Sequence, residues 1–142
     1  MALKVPNAGE LELLDKMLSA ALSTDEKYLL RLYQNDKTPA DADGTVDYNE
    51  ATFTDYYSRT LDRFQWTSAV AGGNGNTKAE SSYGSGPESW TCGASGNTIY
   101  GYWVEGATSL KCLWAERFAS ERVLSSSDVL NITPKFTLTS ES

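Results

Sequence analysis

Histidine is absent from all 142 residues of this chain. That absence removes the commonest general base, the usual partner of a nucleophilic serine or cysteine, and the commonest zinc ligand. A Ser-His-Asp or Cys-His active site is therefore excluded, and two cysteines alone cannot form an ordinary four-ligand zinc site. Paired carboxylates such as Glu50 and Asp55 leave glycosidase chemistry as an alternative. The residues otherwise predict no catalytic group, and we expect no enzyme activity.

Positive charge is also scarce, since the chain contains 12 Lys and Arg but 19 Asp and Glu, which gives a net charge of −7. Binding to a nucleic-acid backbone requires clustered Lys and Arg, so nucleic acid is not an expected partner. No apolar run approaches the roughly 20 residues of a membrane-spanning helix. Residues 1–6 contain one Lys and no apolar block of signal-peptide length, which predicts a protein that stays where it is made, with no membrane partner.

The two cysteines, Cys92 and Cys112, both lie in segments that are typical of strands. A chain with a core of this size does not need a disulfide, and the sequence lacks a secretory signal. We therefore favour two free thiols. A bridge stays open as the alternative if the two strands are neighbours.

Apolar and polar residues alternate through much of the chain, with a period of two that is typical of half-buried strands. The C-terminal stretch 130–138 shows it most strictly and predicts one long strand, with Pro134 at an edge or a bulge. The predicted strands cover residues 27–34, 52–53, 58–63, 65–70, 79–83, 88–92, 98–105, 110–118 and 130–138. Short strands joined by polar turns predict a mainly β fold, an antiparallel β-sandwich or jelly-roll-like body over residues 25–142. Its exposed loops are predicted at 35–49 and 72–77.

Residues 1–24 are predicted to form an N-terminal arm and a short helix ahead of this body. Residues 2–6 are typical of an extended arm, and Asn7 is a suitable N-cap for a helix over residues 8–22. Leu11, Leu14 and Leu18 recur at helical spacing and form one apolar stripe. The stripe either docks on the body of its own chain or on a neighbouring subunit.

Large aromatic side chains are abundant, with four tryptophans and eight tyrosines. In the predicted hairpin of 98–105 and 110–118, alternation puts Tyr100 and Tyr102 on one face and Trp103 on the other. The same reasoning puts four residues of the second strand on one face, namely Leu110, Cys112, Trp114 and Phe118. Because Tyr and Trp are enriched at interface centres, we predict that Tyr100 and Tyr102 contact a partner.

The acidic segment 39–50 aligns with the twelve-residue calcium loop of EF-hand proteins. Asp41, Asp43, Asp47 and Glu50 fall at positions three, five, nine and twelve. Pro39, however, occupies position one, where a carboxylate ligand is normally required, and the flanking segments do not favour helices. We therefore predict an ordinary loop without a metal, with calcium binding as the weaker alternative.

Four segments together resemble small structural proteins of tailed bacteriophages: 90–93 (WTCG), 96–104 (GNTIYGYWV), 113–118 (LWAERF) and 131–138 (NITPKFTL). The opening residues 1–10 (MALKVPNAGE) are similar too. The resemblance implies a capsid decoration, or cement, protein that binds the outside of an HK97-like phage shell and stabilises contacts between capsomers. The resemblance also implies that the protein has no cofactor, is made in the host cytoplasm and is located on the virion surface. It implies two partners, the major capsid protein and further copies of the chain, which would form a trimer or alternatively a dimer.

The residues expected at these interfaces come from the arm, the helix and the hairpin. They are Leu3, Val5, Leu11, Leu14, Leu18, Tyr100 and Tyr102. Two other functions stay open at this point. One is a minor tail or baseplate structural protein, which would present similar strands. The other is a carbohydrate-binding β-module that uses exposed aromatic rings.

Overall fold

The computed structural model describes residues 27–40, 42–62, 65–72, 78–84, 86–108 and 110–139. These residues form nine strands: β1 (Tyr28–Tyr33), β2 (Arg59–Leu61), β3 (Val70–Gly72), β4 (Lys78–Ser82), β5 (Glu88–Thr91), β6 (Thr98–Gly106), β7 (Cys112–Val123), β8 (Val129–Ile132) and β9 (Lys135–Thr139). Every pairing among them is antiparallel. The predicted mainly β fold with antiparallel sheets is confirmed. The predicted arm and helix lie outside the described residues.

The described chain forms two compact units. The larger unit contains residues 27–61 and 88–132, and the smaller unit contains the described residues of 62–87 and 133–139. A short 3-10 turn, Thr45–Asp47, lies within the predicted loop 35–49. No helix of the described chain is long and apolar enough to cross a membrane.

The larger unit contains a four-stranded sheet in the order β2-β1-β6-β7 and a two-stranded sheet of β5 and β8. Alternation in β1 buries Tyr28, Leu30 and Leu32 on one face, as predicted. The central strand β6 is buried over most of its length because both of its faces are covered. This sheet forms the largest part of the core.

One β-bulge changes the faces predicted for the hairpin of β6 and β7. Val104 pairs with Trp114 and Glu105 pairs with Cys112, so Leu113 is an extra residue in β7. Paired residues share a face and neighbouring pairs alternate, so the extra residue places Cys112 and Trp114 on opposite faces. The prediction of one shared face for Leu110, Cys112, Trp114 and Phe118 is therefore wrong.

A second irregularity in the same ladder falls between Ile99 and Gly101. Tyr100 packs against the cluster that contains Trp103, whereas Tyr102 pairs with Glu116 on the other face. The prediction that Tyr100 and Tyr102 share a face is wrong, because strict alternation fails where the ladder shifts.

The C-terminal stretch 130–138 is two strands in two sheets, which corrects the prediction of one strand. β8 pairs with β5 in the larger unit, and β9 pairs with β4 in the smaller unit. Pro134 lies between them, where its missing N–H costs no ladder bond, and its carbonyl accepts from the Tyr83 backbone N–H at 2.9 Å. The alternation of buried and exposed residues continues across the break, as the burial of Leu130, Ile132 and Pro134 shows.

The smaller unit contains a three-stranded sheet in the order β3-β4-β9. Trp66 forms an isolated bridge with Tyr83, and their rings meet edge to face at 5.5 Å. The predicted strand 65–70 is thus limited to that bridge and the start of β3. The predicted strand 52–53 is wrong, because this segment is coil and the Thr52 N–H donates to the Asn97 side chain. Of the predicted loop 72–77, Gly72 closes β3 and 73–77 lies outside the described residues.

Candidate interaction surface

An ionic network lies on one face of the four-stranded sheet and centres on Arg31. Arg31 Nε donates to Glu105 Oε1 at 2.7 Å, and Arg31 Nη1 donates to both carboxylate oxygens of Glu50 at 2.7 and 2.8 Å. Glu105 is 4% exposed, and its other oxygen accepts from Trp103 Nε1 at 2.9 Å. Tyr56 OH donates to Glu50 at 2.9 Å. Both carboxylates therefore accept hydrogen bonds from the same guanidinium.

Strand pairing explains why these side chains meet. Arg31 pairs directly with Trp103, and Glu105 lies two residues further on the same face of β6. Glu50 reaches the network because it forms a bridge with Tyr33 at the end of β1. Sequence reasoning singled out Glu50 for another role and missed Arg31 and Glu105. The sequence signal that could have revealed this network was Glu105, one acidic residue at the end of an otherwise apolar stretch of β6.

The protonation equilibria in this network favour a structural role. Burial lowers the pKa of Arg31, but hydrogen bonds and charges from Glu50 and Glu105 outweigh burial and raise the pKa above its ordinary value. Burial also raises the pKa of Tyr56, and the negative charge of Glu50 adds to that shift. A permanently charged arginine held between two carboxylates stabilises the sheet and does not present a free acid or base.

An aromatic cluster of Tyr33, Tyr48 and Trp103 covers the same sheet face. The rings of Tyr48 and Trp103 stack at 5.5 Å between centroids, and those of Tyr33 and Tyr48 lie 5.1 Å apart. Tyr33 OH donates to the Lys37 carbonyl at 3.1 Å, and burial raises the pKa of Tyr33 to about 12. The cluster therefore fastens the segment 35–49 to the sheet.

The predicted acidic residues of that segment have separate partners. Asp43 pairs with Lys37 Nζ at 2.9 Å, and the hydrogen bond from Lys37 helps to lower the pKa of Asp43. Asp47 accepts from the Gly44 N–H at 2.8 Å, while Glu50 belongs to the Arg31 network. Asp41 lies outside the described residues. In the part of the chain that is described, no group of three metal-ligating side chains converges, and β1 and coil flank the segment. This geometry does not favour the calcium loop.

A surface depression of about 390 Å³ lies between this segment and β7. Pro39, Ala40, Asp43 and Tyr48 line one side, and residues 112–115 line the other. Burial raises the pKa of the Cys112 thiol, and nearby acidic groups raise it further. The thiol thus stays protonated at neutral pH and is a poor nucleophile. Cys92 is buried, and both cysteines are free thiols.

The structure places the predicted interface residues as follows. Tyr102 is 2% exposed, and its hydroxyl donates to Glu116 Oε2 at 2.6 Å, so it offers almost no surface to a partner. Tyr100 is half-buried, and the guanidinium of Arg117 lies 5.3 Å from the centre of its ring. Tyr100 is therefore the predicted hairpin contact that has surface available. The other five, Leu3, Val5, Leu11, Leu14 and Leu18, lie outside the described residues.

One exposed surface of the larger unit was not predicted. β7 is the edge strand of the four-stranded sheet, and its residues 119–123 are exposed. A groove of about 570 Å³ lies between the end of β7 and β8. Val123 and Val129 border it at 68% and 54% exposure, above the buried Leu124 and Leu130. An open edge and exposed valines favour association with another chain.

Comparison with protein-family models, curated proteins and solved structures found no match to this chain.

Proposed function

We propose that this chain is a non-enzymatic virion structural protein, a capsid decoration protein that binds the outside of an HK97-like phage shell and stabilises contacts between capsomers. Its partners are the major capsid protein and further copies of itself, with a trimer favoured over a dimer. It is made in the host cytoplasm and acts on the outer surface of the capsid.

The observation that carries the proposal is the outer edge of β7, along which no other described strand is paired. Soluble proteins that act alone usually cover or interrupt a long edge strand, because its unpaired backbone groups attract other chains. Here twelve residues form the edge, and the exposed stretch continues into the groove beside β8. Such a surface is suited to a molecule that works by adhesion.

Three of the segments that resemble phage structural proteins lie mostly on strands. Segment 96–104 contains most of β6, segment 113–118 lies within β7, and segment 131–138 covers the end of β8 and most of β9. These segments supply sheet core and sheet edges. The charged side chains of the Arg31 network are held by internal partners, which also favours a scaffold.

The acidic composition fits a position on the outside of a particle. A net charge of −7 per chain keeps decorated particles apart by like-charge repulsion. A capsid repeats each binding site many times, so modest contacts that are repeated within an oligomer act at high effective concentration. Small interfaces are then sufficient.

The proposal is tested by mixing the purified chain with undecorated shells of the phage that encodes it and measuring co-sedimentation and the temperature of shell disruption. We expect saturable binding and a higher disruption temperature. Binding to isolated tails but not to shells would instead favour the tail or baseplate protein. Binding to a glycan array together with no binding to shells would favour the carbohydrate-binding module.

A truncated chain tests the role expected for the N-terminal residues. Deleting residues 1–22 should leave a folded β-domain by circular dichroism but abolish shell binding. Unchanged occupancy on shells would contradict the expected role of the arm and helix, while the binding assay on the full chain still decides the function.

A further inference from the structure

The groove between β7 and β8 has the features of a site for an extended chain. β7 has β6 on one side and is the edge of its sheet, while β8 pairs with β5 alone among the described strands. The turn that joins them is fixed, because the Asp128 N–H donates to the Ser125 carbonyl at 3.0 Å and the Ser125 N–H donates to Asp128 Oδ2 at 2.8 Å. Two strand edges therefore border one groove.

The side chains of the groove define what it would bind. Leu124 and Leu130 form its buried base, and exposed Val123 and Val129 form its rim. Two acidic residues, Glu121 and Asp128, also line it, with Arg122 as the only basic lining residue in the described chain. A matching ligand has apolar residues at alternate positions and a positive charge between them.

Residues 2–6 of this same sequence, ALKVP, fit that description. In an extended conformation Leu3 and Val5 would lie on one face, and Lys4 would supply the positive charge. Pro6 has no N–H and would end the added strand. Val123 and Val129, at the rim of the groove, are exposed in the described part of the chain. We take the occupant to be the segment of a second copy.

We propose that residues 2–6 of one copy bind as an extended strand in the β7–β8 groove of a second copy. Backbone hydrogen bonds to a strand edge give this mode its affinity, and the alternating side chains give its specificity. Each copy then donates one segment and accepts one, and such a head-to-tail contact closes into a ring when its rotation closes. The proposal concerns contacts between copies and does not depend on the capsid.

Two variants test it in complementary ways. One lacks residues 2–6 and keeps the groove. The other keeps those residues but carries Val123→Lys and Val129→Lys in the groove. We expect the wild-type chain to be oligomeric by light scattering and each variant alone to be monomeric. Mixing the variants should restore a heterodimer, because the intact segment of one enters the intact groove of the other. Val46→Lys, at another exposed valine, should keep the wild-type mass.

Chemical cross-linking identifies the residues in contact. Wild-type chains with natural and ¹⁵N label are refolded together and treated with a carbodiimide, which joins an amine to a carboxylate. We expect links from Lys4 to Glu121 or Asp128 between chains of different label. A monomeric wild-type chain, links confined to one label, or an oligomer that survives removal of residues 2–6 would each overturn the proposal. If the oligomer survives removal of residues 2–6 but the groove variant is monomeric, the β7 edges of two copies pair directly.

Discussion

Replacing Arg31 by methionine should destabilise the larger unit strongly. The methionine side chain would keep much of the apolar volume of the arginine stem and remove the positive charge. Glu105 would then remain 4% exposed with Trp103 Nε1 as its remaining partner in the network. Glu50 is far more exposed and would be solvated once released. The cost therefore comes mainly from the buried charge of Glu105.

The expected cost is about 3 to 5 kcal/mol, the range found when one partner of a buried ion pair is removed. With a urea dependence of about 2 kcal/mol per M, the unfolding midpoint should fall by about 1.5 to 2.5 M. Urea unfolding followed by tryptophan fluorescence and circular dichroism measures the shift. Adding Glu105→Gln to Arg31→Met should recover part of the loss, because the uncompensated charge is removed.

The matched control is Arg117→Met, which removes a second arginine from the same sheet. Arg117 pairs with Asp36, but both side chains are substantially exposed, so solvent screens the pair and its removal should change the unfolding midpoint little. If Arg31→Met costs no more than Arg117→Met, the Arg31 network does not stabilise the sheet and the reasoning is refuted.

Three further predictions concern packing and pH. Gly101→Ala should lower the free energy of unfolding by about 1 to 3 kcal/mol, because a Cβ atom there meets a β7 carbonyl and the Tyr33 hydroxyl. Gly44→Ala has room for the Cβ atom and should be nearly neutral, so equal melting temperatures of the two variants would contradict this prediction. Leu130→Ala should cost about 2 to 5 kcal/mol, since Leu130 is buried in β8, and a wild-type urea midpoint would show that β8 is misplaced. The pKa of Tyr33 is about 12 in the folded chain and about 10 when unfolded, so the unfolded state loses its proton first and stability should fall as pH rises above 10. Tyr33→Phe should reduce that fall in urea titrations, and an unchanged pH dependence would refute the assignment.

Sequence pattern predicted most strands correctly because alternation is a local property. β1, β2, β4, β5, β6 and β7 all overlap predicted segments. The same local signal could not show that 130–138 joins two sheets, since the residue pattern continues unbroken through Pro134. Which sheet a strand enters depends on partners distant in sequence.

The surfaces were harder to predict than the strands. One extra residue at Leu113 reversed the faces of the hairpin, and no local feature of the sequence marks that bulge. The open edge of β7 follows from sheet order, which requires knowledge of every pairing. Tyr100 and Tyr102 were chosen from composition and alternation, yet Tyr102 is 2% exposed and its hydroxyl donates to Glu116.

The proposed decoration role can be tested directly by a residue-resolution reconstruction of phage particles mixed with the purified chain. We expect density for the β-sheets on the outer surface of the shell, at contacts between capsomers. Density for this chain at the tail alone, or shells that carry none of it, would refute the proposal.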